Sequence, residues 1–243
     1  MGEESFDLGG PRKEWINLMN KAIYTKYFEH GLRDLLAEDY FNVGVMMAIA
    51  VFQNGQLPTY VPEDILQNIV KNSATNQCVK KLIEGLEITG LSTILREFPM
   101  MLHFFRPGAQ QKVNVAKLKT LLKPQFSEIG SNALLKEKEV YASFNKYLRE
   151  VFAGRREVSN SKIELGTILE FVTGASEEPV LGFVIEPSIQ FVLPIQASFY
   201  PSSRTCSNVL ILPRGDLENA IPSEERSFEI YDLSFGQKYF GLK

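Results

Sequence analysis

Arg204-Thr205-Cys206-Ser207-Asn208-Val209-Leu210-Ile211-Leu212-Pro213 sets one of the chain's two cysteines among small polar residues and follows it at once with a β-rich run. The pattern reads as a thiol held on a loop at the mouth of a strand. A nucleophile needs that position: a rigid element behind it, solvent in front, and a sulfur that is not packed away. The alternative reading of Cys206 is a small apolar filler, since free cysteine is among the most buried residue types.

Moving outward from this stretch, further strands are expected over Val180 to Ile185 and Ile189 to Leu193, with Asn208 to Leu212 as the strand after the thiol. A helix from about Lys162 to Val172 precedes them and ends in Thr173-Gly174. Another, Glu137 to Phe152, carries Val140, Phe144, Tyr147, Leu148 and Val151 on one stripe. Pro124 through Asn132 is turn-rich, contains Gly130-Ser131-Asn132, and is the expected hinge. The part before it reads as helical. Pro11 suits the first turn of a helix reaching about Phe28, with Trp15, Leu18, Met19, Ala22, Ile23 and Tyr27 recurring at three- and four-residue spacing. Glu38 to Phe52 is apolar nearly all round and is expected at the centre of its fold. Pro62-Glu63-Asp64 opens a short helix ending near Val70. From Asn72 to Leu122 short helices are expected, broken by Gly85, Gly90, Pro99 and Pro107-Gly108. The expected fold class is therefore α+β in two lobes, residues 1–123 mostly helical and 124–243 a small α+β lobe carrying Cys206.

The bulk composition bounds the function. The chain has 243 residues, 44% hydrophobic and 23% charged, enough for an ordinary core without a metal or disulfide. Its net charge is −3 with both signs interspersed, so a nucleic-acid partner is not expected. The longest apolar stretch, Val43 to Phe52, is too short to span a bilayer, and no membrane partner is expected. The start, Met1-Gly2-Glu3-Glu4-Ser5-Phe6, lacks the pattern of a signal peptide, and Phe6 spoils an N-myristoylation motif. Two cysteines far apart make no disulfide framework, and His30 and His103 have no cysteine or histidine near them to make a zinc site. A cytoplasmic or nuclear protein with reduced thiols is expected.

Several motifs together resemble the HECT family of ubiquitin ligases. Phe171-Val172-Thr173-Gly174, then Pro179, Gly182-Phe183 and Thr205-Cys206-x-Asn208-x-Leu210-x-Leu212-Pro213 look like its C-terminal lobe. Gly9-Gly10-Pro11-Arg12-x-Glu14 looks like the Gly-Gly-x-x-x-Glu segment of its large lobe, and Phe41 to Leu57 like the apolar helix that follows. The nearest pattern is the divergent branch that includes the vertebrate G2/M-phase ligase, with its Gly130-Ser131-Asn132 stretch and shortened large lobe. The resemblance implies that Cys206 takes ubiquitin from a ubiquitin-conjugating enzyme by transthiolation and passes it to a lysine of a protein substrate. No cofactor is implied, because the activated bond arrives with the donor. Arg204 would favour the thiolate by its charge, while Thr205 and Asn208 would shape the loop. Phe240, fourth from the end, would assist transfer to the acceptor. Transfer is expected to need rotation of the lobes.

The chain departs from the family's pattern in three places. The usual His-Thr-Cys-Phe is here Arg204-Thr205-Cys206-Ser207, and the region after Val70 that would recruit the conjugating enzyme is abbreviated, as is the sequence before the Gly-Gly segment. Phe98, Met100, Met101, Phe104 and Phe105 form an apolar cluster that would suit docking if turned outward; burial in the core is the expectation. The reduced large lobe keeps a second reading open, a catalytically silent HECT-like module that binds ubiquitin or partner proteins. A thiol hydrolase is a third, but it needs a histidine base, and both histidines lie in the other half of the chain.

Overall fold

A computed structural model describes residues 10–53, 57–106, 113–179, 182–216 and 219–236. The fold is α+β: helices along most of the chain and a small mixed sheet late in the sequence. Among the described residues the chain forms two compact units. The first is built mainly of 12–106, with 178, 179 and 182, and the second mainly of 113–177 and 183–236.

In the first unit, helix α1 (Gly10–Ile23) runs into a π-helical turn (Tyr24–Phe28). Its buried stripe is Ile16, Asn17, Met19, Asn20 and Ile23, while Trp15 and Leu18 face solvent. The periodicity reading is met at Met19 and Ile23 and missed at Trp15, Leu18 and Ala22, which are exposed. Two apolar stripes of equal spacing coexist on this helix, and the buried one contains two asparagines, one of which, Asn20, accepts a hydrogen bond from the Tyr60 hydroxyl at 3.1 Å. Helix α2 (Asp39–Phe52) buries Tyr40, Val43, Gly44, Met47, Ala48 and Ala50. It packs on α4 (Gln77–Glu87), whose N-terminus Asn76 caps by accepting from the backbone N–H groups of Cys78 and Val79. Gly85 does not break this region. It lies inside α4, where a Cβ would come within 2.0 Å of the Phe41 carbonyl oxygen, and one on Gly44 within 2.3 Å of that of Leu82. The two glycines let the helix backbones touch. Helices α3 (Glu63–Lys71) and α5 (Leu91–Glu97), and a 3-10 segment over Pro99–Phe105, complete the unit.

The second unit starts with α6 (Val115–Leu121), capped by Asn114. Strand β1 (Lys123–Gln125) follows, where the sequence suggested a hinge: Pro124 pairs in register with Ile189. Ser131 caps α7 (Asn132–Phe152), which begins earlier than its apolar stripe indicates. The hairpin β2 (Glu157–Val158) and β3 (Ser161–Lys162) occupies the start of the expected second helix, so α8 runs Leu165–Thr173. Strands β4 (Ser188–Val192), β5 (Ser202–Arg204) and β6 (Val209–Pro213) form, with β1, a sheet of order β1-β4-β6-β5. β1, β4 and β6 are parallel, and β5 is antiparallel to β6. The strand expected over Val180 to Ile185 does not form in its described part. Gly182 to Pro187 is irregular, broken by the two glycine- and proline-bearing ends, and Val180 and Leu181 lie outside the described residues. Helix α9 (Glu224–Gly236) closes the unit, with Tyr231 edge-on to Phe144 and Phe235 edge-on to Phe171. The core gathers Leu118, Phe144, Tyr147, Ile168, Leu210 and Phe235. Among the described residues no helix is long and apolar enough to cross a membrane.

Candidate functional site

Cys206 sits in the turn of the β5–β6 hairpin. The strands pair as Ser202↔Ile211, Ser203↔Leu210 and Arg204↔Val209, leaving Thr205, Cys206, Ser207 and Asn208 as a four-residue connection. The Ser207 N–H donates to the Arg204 carbonyl at 3.1 Å, closing a β-turn in which Thr205 and Cys206 are the central residues. The Ser207 hydroxyl reaches the same carbonyl at 3.4 Å. β6 is driven into the core by Val209, Leu210 and Leu212, so the turn is mounted on a buried strand. Cys206 is a free cysteine, and the residue is partly exposed.

Asn208 ends the turn with φ +56°, the left-handed conformation that asparagine tolerates better than most residues. It is fully buried. Its Nδ2 donates to the Ile185 carbonyl at 2.6 Å, and its own carbonyl accepts from the Ser188 N–H at 3.0 Å. The parallel register brings these groups together: Lys123↔Ser188 and Ser188↔Val209 set the starts of β1, β4 and β6 side by side, at the end of the sheet that carries the Cys206 turn. Val184 and Ile185 are exposed apolar residues at that end, and Lys123 pairs with Glu186 there at 2.6 Å.

Helix α8 packs on β5 and β6 from one side. Its last residues are Phe171-Val172-Thr173, with Gly174 as a left-handed cap at φ +75°. The buried Thr173 hydroxyl donates toward the Leu169 and Ala175 carbonyls and accepts from the Ala175 N–H at 3.1 Å. The Phe-x-Thr-Gly motif is thus the C-terminal end of α8. Beyond it, burial pushes the Glu177 carboxyl up from the ordinary range.

Of the residues singled out from sequence, Arg204, Thr205, Cys206 and Asn208 lie together on this hairpin, Arg204 exposed and Thr205 partly so. Phe240 lies outside the described residues. His30 and His103 belong to the first unit. Cys78 contrasts with Cys206: it is fully buried, its Sγ lies 3.6 Å from the Arg33 carbonyl, and burial pushes its thiol pKa up. Among the described residues no cluster of histidine, cysteine, aspartate or glutamate is placed to hold a metal. The hairpin thus carries a free, partly exposed cysteine.

The apolar cluster of the first unit corrects the expectation of burial in part. Phe98 (55% exposed), Met100 (80%) and Phe104 (41%) face outward, while Phe105 is buried and Met101 packs partly buried against the core. The segment is a 3-10 helix, and its three-residue turn alternates faces in a way that an α-helical reading does not anticipate. Sequence reasoning also missed Ile185 and Ser188 as supports of the thiol turn. Both act through backbone groups, which leave no signature in residue type. No protein-family model matches the chain, and none of the curated proteins matches its sequence.

Proposed function

We propose that this chain is a HECT-type ubiquitin-protein transferase in which Cys206 carries ubiquitin as a thioester. The Cys206 thiolate attacks the thioester carbonyl carbon joining ubiquitin to the conjugating enzyme's cysteine. A new carbon–sulfur bond forms, the old one breaks, and the donor sulfur leaves as a thiolate. A substrate lysine amine then attacks the Cys206 thioester, an amide forms, the amine gives up a proton, and Cys206 departs. Thioester exchange is nearly isoenergetic and thiolate is a strong nucleophile, so no cofactor and no histidine base are required. In this reading Phe240 assists the acceptor step, and the reducing cytoplasm or nucleus keeps the sulfur free.

The observation that carries the reading is the free, partly exposed Cys206 on a turn between two strands of the sheet, within the sequence pattern that resembles the HECT C-terminal lobe. Support also comes from α8, which packs on β5 and β6 and ends in the resembling Phe-x-Thr-Gly segment. The test is incubation with a panel of ubiquitin-loaded conjugating enzymes followed by a non-reducing gel. A thiol-sensitive ubiquitin adduct that disappears in Cys206→Ala is the expected result; no adduct with any donor counts against it.

The outward-facing Phe98, Met100 and Phe104 favour a second reading as well. In a ligase they would form the surface that receives the conjugating enzyme. In a catalytically silent HECT-like module they would bind ubiquitin or a partner protein. Ubiquitin binding that is equal in the wild type and in Cys206→Ala, without an adduct, selects the silent module.

A further inference from the structure

The Cys206 turn hangs on β5, a three-residue strand at the edge of the described sheet, and the Ser207 N–H and hydroxyl both end on the Arg204 carbonyl. Short edge hairpins of this kind open locally at small cost. What fixes the turn from behind is Asn208, buried at its end. Its carboxamide and its backbone carbonyl both bond to one short segment, Ile185 to Ser188, twenty or so residues earlier in the chain.

We propose that Asn208 is a positioning residue for Cys206. Its Nδ2 latches the thiol turn to the Ile185 carbonyl, so the orientation and exposure of Sγ are set by the segment leading into β4 as well as by the hairpin. The inference rests on reading Cys206 as the acyl acceptor, yet its physical content, a latch that governs thiol reactivity, can be measured without ubiquitin. The competing explanation is that position 208 merely needs a residue that accepts φ +56°. Glycine accepts that conformation at no steric cost but has no amide to donate. Aspartate keeps the shape and presents an oxygen to the Ile185 carbonyl in place of the donor.

The experiment is timed iodoacetamide labelling of the native protein, read at each cysteine by peptide mass spectrometry, for the wild type, Asn208→Gly and Asn208→Asp. Hydrogen exchange of the α7 and α8 amides reports opening of the second unit, to which both Cys206 and Asn208 belong. The latch predicts that Cys206 labels about three- to tenfold faster in both variants, the population change expected on losing a side-chain hydrogen bond, while exchange in α7 and α8 stays at the wild-type rate. Wild-type labelling of Cys206 in Asn208→Gly overturns the proposal, as does exchange in α7 and α8 that rises in step with Cys206 labelling. Running the ubiquitin adduct assay on the same variants separates the two readings. Accelerated labelling without any wild-type adduct removes the transferase and leaves the latch; unchanged labelling with a normal adduct removes the latch and leaves the transferase.

Discussion

Asp232 holds α9 in place. Its carboxylate accepts from the Tyr147 hydroxyl at 3.0 Å and from the Nε of Arg156 at 3.2 Å, and a second Arg156 nitrogen pairs with its other oxygen. Arg156 in turn lies 5.5 Å from the Phe228 ring centroid, so one side chain joins an ion pair to an aromatic face. Burial raises the Tyr147 hydroxyl pKa, with the Asp232 charge adding to it, so the phenol stays a donor at any physiological pH. Asp232→Ala strands both donors; we expect it to cost about 2–4 kcal/mol, read from urea unfolding, because removing one partner leaves the other charge uncompensated. A loss below about 0.5 kcal/mol would mean solvent replaces the carboxylate freely. The residue scale also shows what a sequence can say of a site. Cys206 stands out because polar residues precede it and an apolar run follows. Asn208 could be recognised as turn chemistry, but not as a latch, because its partner is a carbonyl that any residue at position 185 would supply.

At the scale of elements, the packing of α2 on α4 through Gly44 and Gly85 is the tightest constraint in the first unit. A methyl group on Gly85 meets backbone, which has no rotamer to yield. Gly85→Ala is expected to destabilise by about 2–4 kcal/mol, despite the higher helix propensity of alanine, and to raise hydrogen exchange in both helices. Unchanged exchange would show that the helices slide apart without penalty. The join from α4 to α5 rests on Glu87, which accepts from the Ser92 and Thr93 hydroxyls and pairs with Arg96 at 2.8 Å. The Ser92 hydroxyl first, then Thr93 and the Arg96 charge, hold its carboxyl below the usual range. A depressed carboxylate contributes stability above its unfolded pKa and loses it as pH falls through the folded one. Glu87→Gln should therefore be less stable than the wild type at neutral pH, by a modest amount because Glu87 is half-exposed, with the gap closing in acid. A gap that stays constant with pH would assign the effect to shape and not to charge.

Elements differ in how openly the sequence announces them. β6 is legible as Val209-Leu210-Ile211-Leu212, and α8 ends where Thr173-Gly174 says it should. β1 is hidden by Pro124, which reads as a breaker yet is tolerated on a sheet edge, and its pairing partner, Ile189, lies far along the chain. β5 is Ser202-Ser203-Arg204, with no β-branched or aromatic residue to mark it. α9 escapes because Ser227, Asp232 and Ser234 sit on its buried side and interrupt the apolar stripe.

Over the whole molecule, each unit has its own buried core, one built around α2 and α4 and the other around α7, α8, α9 and the sheet. The α+β class followed from the change of pattern along the chain, helical periodicity early and short apolar runs late. The proposed function is tied to far fewer residues: a free cysteine in the second unit, the turn that carries it, and the buried asparagine at the end of that turn. Nothing in overall charge or composition bears on ubiquitin; the proposal comes from the resemblance of the local pattern from Phe171 to Pro213.

The most direct measurement is intact-mass and peptide mass spectrometry of the protein after brief exposure to ubiquitin-loaded conjugating enzymes under non-reducing conditions. The account predicts a mass increase of one ubiquitin, attached at Cys206, reversed by dithiothreitol and missing from Cys206→Ala. An unmodified Cys206 with every donor, or ubiquitin attached only through lysine and equally in Cys206→Ala, would contradict it.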